Sequence, residues 1–391
     1  MDVKNMKFQD FAGMDFDCEC GKKHTLNIDR IVYGKDILNQ AVELAQKLSP
    51  AGKIQIICDG NTYKACGYII EEQFKEFGLN FITYIFESKH DLIPGNREIG
   101  KLLIETPNDI SLMIAVGSGV INDITRQVSF KMKIPYFVVC TAASMDGYAS
   151  VTSSLIIEDK KSTIDGQLPC AILADENVLK HAPDKMLKAG FGDVIGKITG
   201  LIDWKLSVAV TGEHICPFII SMVECAVAKC IASADGIINK ENDAVANVFE
   251  ALTIAGVTMG LYKNTRPASG AEHHLAHYWD LKAIENNEEH ALHGESVGIG
   301  TVVICRLYEL AKDLLPIALN CPSSEHIKSL LKRTGAKCSP IDIGLKKEYF
   351  LESIFNANIL SWKYTILTFL KENYPESLEY FANVITSEIY G

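Results

Sequence analysis

The stretch 53–140 alternates short apolar segments with longer amphipathic ones. The apolar segments 54–58, 80–86, 111–116 and 135–140 are rich in β-branched and aromatic residues, which is typical of strands. The polar segments between them have the length of helices. This alternation predicts a mostly parallel sheet covered on both faces, with ligands bound at the carboxyl ends of its strands.

A different pattern begins near Glu176, where apolar residues recur at a spacing close to 3.6 and strand-like runs become rare. Before it, the segment 150–175 has alternating apolar residues around a turn-rich middle, which predicts a β-hairpin followed by a last strand. We therefore expect an α/β domain over 1–176 and a helical domain over 177–391.

The net charge and the composition of the first thirty residues argue against several classes of protein. The formal net charge is -11, and no basic stripe is present, which argues against nucleic-acid binding. The first thirty residues contain neither a signal-peptide core nor a membrane-spanning run, so we expect a cytoplasmic protein that does not enter a membrane. Most of the twelve cysteines lie in apolar stretches, which favours buried, reduced thiols.

Cys18, Cys20 and His24 form a compact group in the segment DCECGKKH. They could be part of a zinc knuckle. A closed structural zinc site needs four ligands, however, and this pair of cysteines lacks a second half. A β-turn at Gly21 between two short strands is the preferred interpretation.

The segment 271–294 contains five of the ten histidines of the chain. His273 and His277 are four residues apart, so on a helix they project from one face, and His290 and His293 are three apart. Neutral imidazoles are common ligands of divalent transition metals, and a catalytic site usually combines three protein ligands with an open position. The pattern predicts a metal site with a third ligand elsewhere.

Asp193, in KAGFGDVIGK, is the best candidate for the third ligand. It lies in a small, apolar helical stretch where a buried carboxylate needs a cation or hydrogen bonds. Taken alone, a helix cap after Gly192 would be the favoured interpretation, and the nearby histidine segment shifts the balance to a ligand. Asp203, further along the same stretch, is expected to be solvated.

Two features at strand ends could bind a nucleotide. Gly117 and Gly119 form a turn that opens a helix, which suits a pyrophosphate but is also common without one. Asp59 ends an earlier strand and could accept the ribose hydroxyls or cap the next helix. Asp59 precedes the glycine turn, whereas an ordinary Rossmann fingerprint places the acid roughly 20 residues after it.

The loop 141–150, TAASMDGYAS, follows the strand 135–140. Its hydroxyl groups could bond a cofactor, and Asp146 could hold a substrate hydroxyl. The same residues could also form only local turns.

The segments GSGVIND, TAASMDGYAS, GFGDVIGK, RPASGAEHHLAH and ALHGESVGIGT together resemble the glycerol-1-phosphate dehydrogenase family. Its bacterial, AraM-type branch is the most similar, within the superfamily of iron-containing alcohol dehydrogenases and dehydroquinate synthase. The resemblance implies an N-terminal α/β nucleotide-binding domain with a parallel sheet, an all-α C-terminal metal-binding domain, and an active site between them.

The resemblance also implies roles for individual residues. The metal ligands would be Asp193, His273 and His293, while Asp146 and His277 would contact the substrate and act in catalysis. His274 and His290 match no ligand position, and Ser118 replaces the middle glycine of the family's turn. The cofactor contacts would be Asp59, Gly117, Ser118, Gly119, Val120, Ile121, Thr141, Ser144 and Ser150.

The activity implied is the reversible reduction of dihydroxyacetone phosphate to sn-glycerol 1-phosphate by NAD(H) or NADP(H) with Ni²⁺ or Zn²⁺, in a homodimer. Lys197 and Arg266 are candidate phosphate partners, although both could be surface charges. Alternatives are a polyol or alcohol dehydrogenase with an unphosphorylated substrate, and a sensor in which the histidines are structural.

Overall fold

The computed structural model describes residues 6, 8–87, 92–158, 160–286 and 288–391. Its strands are β1 (Asp15–Asp17), β2 (Lys23–Thr25), β3 (Arg30–Gly34), β4 (Lys53–Asp59), β5 (Phe81–Phe86), β6 (Ile110–Gly117), β7 (Tyr136–Cys140), β8 (Thr152–Ile157), β9 (Lys160–Asp165) and β10 (Ala171–Asp175). Its α-helices are α1 (Gln40–Leu48), α2 (Gly60–Thr62), α3 (Tyr68–Glu76), α4 (Asn96–Glu105), α5 (Gly119–Met132), α6 (Glu176–His181), α7 (Asp184–Thr211), α8 (Pro217–Ala232), α9 (Asn242–Tyr262), α10 (Ala271–Glu285), α11 (His293–Leu310), α12 (Ser324–Arg333), α13 (Lys347–Asn356), α14 (Ile366–Asn373) and α15 (Pro375–Tyr390).

Six parallel strands form the central sheet in the order β3-β10-β7-β6-β4-β5. The four strands predicted from 53–140 are confirmed as β4 to β7, whereas β3 and α1 were not predicted. Buried residues of α1 and α3 cover one face of the sheet, and those of α4 and α5 cover the other. The strand order reverses between β4 and β6, which is where open α/β sheets form a ligand crevice.

Two antiparallel hairpins accompany this sheet. β8 pairs with β9 and leads to β10, as predicted. β1 pairs with β2, and Gly21 in the turn between them has a φ of +85°, a conformation that glycine adopts without strain. The predicted β-turn at Gly21 between two short strands is therefore confirmed.

The chain is helical beyond Asp175, and its described residues contain no strand there. The central helix is α7, which packs against α9 and α11. One helix, α9, is long and apolar enough to span a membrane, but 83% of that apolar window is buried inside the protein. Buried apolar residues of α7, α8 and α9 share a core with α5 of the sheet, so the two halves pack together.

Small residues let α7 approach its neighbours closely. A Cβ added to Gly192 would lie 2.2 Å from the carbonyl oxygen of Gly294 at the start of α11, and one on Gly190 would lie 2.0 Å from the carbonyl oxygen of Ala143. Only glycine allows both contacts. As a result, the middle of α7 touches both α11 and the loop that follows β7.

Candidate active site

Asp193, His273 and His293 come together from three helices. Asp193 lies in the middle of α7, His273 in the first turn of α10, and His293 begins α11. One potential ligand atom from each lies within 4.8 Å of the others. The Nε2 atom of His273 is 3.5 Å from Asp193 Oδ1, and the rings of His273 and His293 have centroids 5.3 Å apart.

The orientation of His273 is fixed by Glu272. The Nδ1 atom of His273 lies 2.7 Å from Glu272 Oε1, and this carboxylate also accepts hydrogen bonds from the Gly270 N–H and the Thr199 hydroxyl. Burial opposes ionisation of Glu272, but the hydrogen bond with His273 and its other partners lower its pKa to about 2. A carboxylate on Nδ1 directs the other ring nitrogen, Nε2, toward Asp193, as in many metal sites.

Lys197 bridges the two acidic residues of the site. Its Nζ atom is 2.6 Å from Asp193 Oδ1 and 2.6 Å from Asp146 Oδ2. The second oxygen of Asp193 accepts the backbone N–H of Asp146. Burial would raise the pKa of Asp193, yet the Lys197 ammonium and the nearby histidines hold it well below its usual value. Asp193 therefore stays ionised, and the interpretation of Lys197 as a surface charge is wrong because it is 1% exposed.

The three residues suit a divalent metal. Asp193 contributes oxygen, and the two imidazoles contribute nitrogen, a donor set that zinc and nickel both accept. The Nδ1 atom of His293 is buried and has no hydrogen-bond partner among the described residues. Burial lowers the pKa of His293 to about 3, so the ring is neutral and keeps a lone pair for a metal.

A cavity of about 2730 Å³ joins this site to the sheet. Asp146, His273, His277 and His293 line it. The His277 ring is half-buried, with its centroid 5.6 Å from that of His293, and burial together with Lys161 holds its pKa well below the usual value. A neutral His277 next to the metal site can donate or accept a proton.

The far end of the same cavity is formed by the carboxyl ends of β4, β6 and β7. Eight of the nine cofactor residues predicted from sequence line this end: Asp59, Ser118, Gly119, Val120, Ile121, Thr141, Ser144 and Ser150. Gly117 is not among the lining residues. Gly117 packs directly against Ile121 in the first turn of α5. A Cβ on Gly117 would lie 2.5 Å from Ile121 Cβ, so this close contact requires glycine. Ser118 bonds the Ser144 hydroxyl at 2.7 Å, so the serine that replaces the family's glycine links the turn to the next loop.

Asp59 is the N-cap of α2. Its Oδ1 accepts the N–H groups of Asn61 and Thr62, both at 2.8 Å. The capping alternative is therefore confirmed. The structure also brings Asp59 to the glycine turn, because β4 and β6 are neighbours in the sheet. Asp59 and the glycine turn therefore line the same cavity, although Asp59 comes before the turn in the chain.

Three buried basic residues lie near the metal site, and only one of them, Arg266, was predicted from sequence as a phosphate partner. Lys363 lines the cavity, and burial together with the charge of Arg266 lowers its pKa to about 7. His274 also lines the cavity, and neither ring nitrogen has a partner in the described part of the chain. Arg266 donates from Nη2 to Glu213 and to the Tyr364 carbonyl, each at 2.8 Å, while Nε and Nη1 find no partner there. We call Arg266 and Lys363 the cationic cluster; His274 beside it is neutral, because burial lowers its pKa to about 3.

Other expectations from sequence need correction. Asp203 is not solvated but fully buried, where it accepts the Ala271 and Ile366 N–H groups and the Tyr308 hydroxyl. Burial raises the pKa of Asp203 to about 6. Arg266, which could have been a surface charge, is also fully buried. His290 is exposed, outside the metal site.

The chain is similar to known dehydrogenases. A family model described as iron-containing alcohol dehydrogenase matches residues 32–183. Glycerol dehydrogenase from Schizosaccharomyces pombe has a similar structure, with a TM-score of 0.70, 19% identity, and coverage of 91% of this chain and 88% of that one. The fold is thus the dehydroquinate synthase-like fold of the iron-containing alcohol dehydrogenases.

Relatives with higher sequence identity define a narrower group. Glycerol-1-phosphate dehydrogenase (NAD(P)+) from Geobacillus stearothermophilus is 30% identical over 94% of this chain and 98% of its own length. The enzyme of that name from Pyrococcus furiosus is 30% identical over 88% of this chain and 94% of its own. The chain belongs to the glycerol-1-phosphate dehydrogenase family.

Proposed function

We propose that this protein reduces dihydroxyacetone phosphate to sn-glycerol 1-phosphate with NADH or NADPH, reversibly, and with a divalent metal. The observation that carries the proposal is one cavity that joins three kinds of group. They are the Asp193, His273 and His293 cluster, the glycine turn beside Asp59, and Lys363 of the cationic cluster. The names of the relatives support the same reaction.

The metal would be held by Asp193, His273 and His293. When bound, it would supply Lewis acidity toward the substrate carbonyl. Glu272 keeps His273 in the tautomer that presents Nε2, and Lys197 keeps Asp193 ionised. Ni²⁺ and Zn²⁺ both suit this set of oxygen and nitrogen ligands.

The cofactor would lie over the carboxyl ends of β4 and β6. The N–H groups at the start of α5 would receive its pyrophosphate, because the positive end of a helix dipole favours an anion. Asp59 already caps α2 with Oδ1, which leaves Oδ2 available for ribose hydroxyls. A carboxylate there would favour NAD(H) over NADP(H), whose additional phosphate it would repel.

The proton would come from water and would be relayed by His277, in which one ring nitrogen donates to the substrate oxygen while the other accepts from the water. His277 is neutral and lines the cavity next to the metal cluster. Asp146, paired with Lys197, would accept a hydrogen bond from a substrate hydroxyl.

The substrate phosphate would lie against the cationic cluster. A buried cation without an anionic partner is costly, and a phosphate dianion would supply that partner to Lys363. Lys363 is the strongest candidate because it lines the cavity and because its Nζ, among the described residues, donates only to the Thr265 carbonyl, at 3.3 Å. Lys197 and Arg266, the candidates from sequence, are paired with carboxylates and are not among the residues that line the cavity. They would therefore affect the phosphate through their charge and not by direct contact.

The test is to compare NADH oxidation with dihydroxyacetone phosphate and with free dihydroxyacetone, followed by chiral analysis of the product. We expect preference for the phosphorylated substrate and formation of the sn-1 product. A preference for the free ketone would favour a polyol dehydrogenase instead.

The phosphate assignment is tested by substitution. Lys363→Met should raise the KM for dihydroxyacetone phosphate by about 10- to 100-fold, since a charge-assisted hydrogen bond is worth about 1.5–3 kcal/mol. It should leave turnover of the free ketone unchanged, and Lys371→Met at an exposed position is the matched control. Arg266→Ala and Lys197→Ala, tested in parallel, show whether the two sequence candidates contribute. Unchanged KM in all three site variants would refute the assignment.

Cytoplasmic location and a homodimer remain part of this proposal. Both follow from the family resemblance and the composition of the chain, and analytical ultracentrifugation would test the second.

A further inference from the structure

A second group of metal-binding side chains lies away from the cavity. Cys18 and Cys20 are in the turn between β1 and β2, His24 is in β2, and Cys216 immediately precedes α8. Their sulfur and nitrogen atoms all lie within 4.8 Å of one another. Cys216 supplies the fourth ligand that could not be found in the N-terminal sequence, because it is 198 residues away from Cys18.

The distances within this group are those of a tetrahedral site. Cys18 Sγ lies 3.6 Å from Cys216 Sγ, and His24 Nε2 lies 3.4 Å from the sulfur atoms of both Cys20 and Cys216. Zinc with Zn–S bonds of about 2.3 Å and a Zn–N bond of about 2.0 Å holds sulfur atoms roughly 3.8 Å apart and sulfur and nitrogen roughly 3.5 Å apart. The 3.6 Å separation is far from the roughly 2.05 Å of a disulfide bond.

The surroundings of His24 match those of a metal ligand. Its side chain is buried, and its Nδ1 atom lies 3.0 Å from the carbonyl oxygen of Leu261 at the end of α9. Donation of Nδ1–H to a carbonyl leaves the Nε2 lone pair directed at the three sulfur atoms.

The turn is also held in place from outside. His214 Nε2 lies 2.9 Å from the Cys20 carbonyl oxygen, and His214 Nδ1 lies 2.9 Å from the Tyr262 hydroxyl. The loop therefore has a fixed position against α8 and α9 through contacts that do not use the four ligand atoms.

We propose that Cys18, Cys20, His24 and Cys216 bind a structural Zn²⁺ ion, separate from the metal of the active site. Three thiolates and one imidazole are soft ligands that select zinc, and four protein ligands leave no open position for a substrate. The ion fastens the N-terminal hairpin to the starts and ends of helices that lie about two hundred residues further along the chain. Binding releases the thiol protons, and no oxidation is involved.

The first test uses the full chain with the active-site metal removed by the double substitution Asp193→Asn and His293→Ala. We expect this protein, purified under reducing conditions and loaded with zinc, to retain one zinc ion per chain by elemental analysis. Loading with Co²⁺ instead should give the near-ultraviolet thiolate-to-cobalt charge-transfer band that oxygen and nitrogen ligands cannot produce. Absence of both signals while the thiols are reduced would overturn the proposal.

The second test changes the ligands. Cys18→Ser and Cys216→Ser, each added to the double variant, should lose the zinc ion and the cobalt band. Cys225→Ser, on the same helix α8 but outside the cluster, should keep both. Unchanged zinc content in the two ligand variants, or a Cys18–Cys216 disulfide found by non-reducing peptide mapping of the freshly purified protein, would contradict the assignment. Because the cobalt spectrum of the double variant needs no cysteine substitution, misfolding of a ligand variant does not affect the conclusion.

Discussion

At the scale of single residues, chemistry can be predicted where function imposes a local pattern. His273, His277 and His293 stand out by spacing, and Asp193 stands out as a lone carboxylate in an apolar stretch. Lys363 carries no such signal, because its role depends on a cavity assembled from distant parts of the chain. The sequence alone could therefore predict the metal site, but it could not predict that Lys363 lies beside it.

Asp193→Asn tests the metal ligand. The amide is a poorer ligand and leaves Lys197 paired only with Asp146, so we expect metal content to fall and kcat to drop on the order of 100-fold or more. Metal analysis and steady-state kinetics measure this. Asp184→Asn, at the exposed start of the same helix, is the control and should behave like the unchanged protein. Full metal content in Asp193→Asn would contradict the assignment.

The pKa of Lys363 predicts a pH dependence. Lys363 is charged below its pKa of about 7 and neutral above it, whereas a phosphate monoester becomes a dianion above about pH 6. We expect kcat/KM for dihydroxyacetone phosphate to decline above pH 7, by up to about tenfold per pH unit, since kcat/KM reports the free enzyme.

The comparison that identifies Lys363 is the same pH profile measured with Lys363→Met and with free dihydroxyacetone. Both should lack the decline that begins near pH 7. A decline of equal size in Lys363→Met would show that another group is responsible.

At the scale of elements, β4, β6, β7 and β10 were predictable because each is a short apolar run that is mostly buried on both faces, whereas the partly exposed β3 was not predicted. The error at Asp203 came from the middle of α7, where residues 189–207 are buried nearly all round. A helix of this kind has no polar face from which burial could be read. Cys216 was missed for a related reason, since a single cysteine before a helix gives no sign of partners at the other end of the chain.

The contact between α7 and α11 makes a prediction about Gly192. A methyl group there would meet the Gly294 carbonyl, which adjoins His293, so Gly192→Ala should lower the free energy of unfolding by roughly 1–3 kcal/mol and weaken metal binding. Thermal unfolding and metal titration measure the two effects.

Gly100→Ala, in the middle of α4, is the matched control. A Cβ there would meet nothing within 4 Å, so the change should be neutral or stabilise the helix by up to about 1 kcal/mol. Equal stability and metal affinity in the two variants would mean that the α7–α11 contact does not position the ligand.

At the scale of the whole molecule, the described strands all lie before residue 176 and the described residues after it are helical or irregular, while the division into domains at 176/177 stays a prediction. What the sequence could not provide is the cavity, because its walls come from the sheet, α7, α10, α11 and the segment that carries Lys363. The order in which Asp59 and the glycine turn occur is also explained only by the sheet, in which β4 and β6 are neighbours.

Chelation tests whether the metal of the cavity serves catalysis or folding. We expect a chelator to abolish activity while circular dichroism stays unchanged, because two large apolar cores hold the fold without this metal. Adding metal back should restore turnover. Cooperative unfolding that accompanies the loss of activity, in a sample that still holds the zinc ion of the cysteine site, would favour a structural role for the histidines instead.

Lys197 holds the carboxylate of Asp193 in place independently of a metal ion. Its ammonium group separates two carboxylates that would otherwise repel each other, so Asp193 does not depend on a metal to stay in position. With His273 held by Glu272, two of the three ligands are already oriented before an ion arrives. Exchange of one ion for another should then require little rearrangement, and the identity of the metal in living cells should follow the supply of metals rather than the shape of the site.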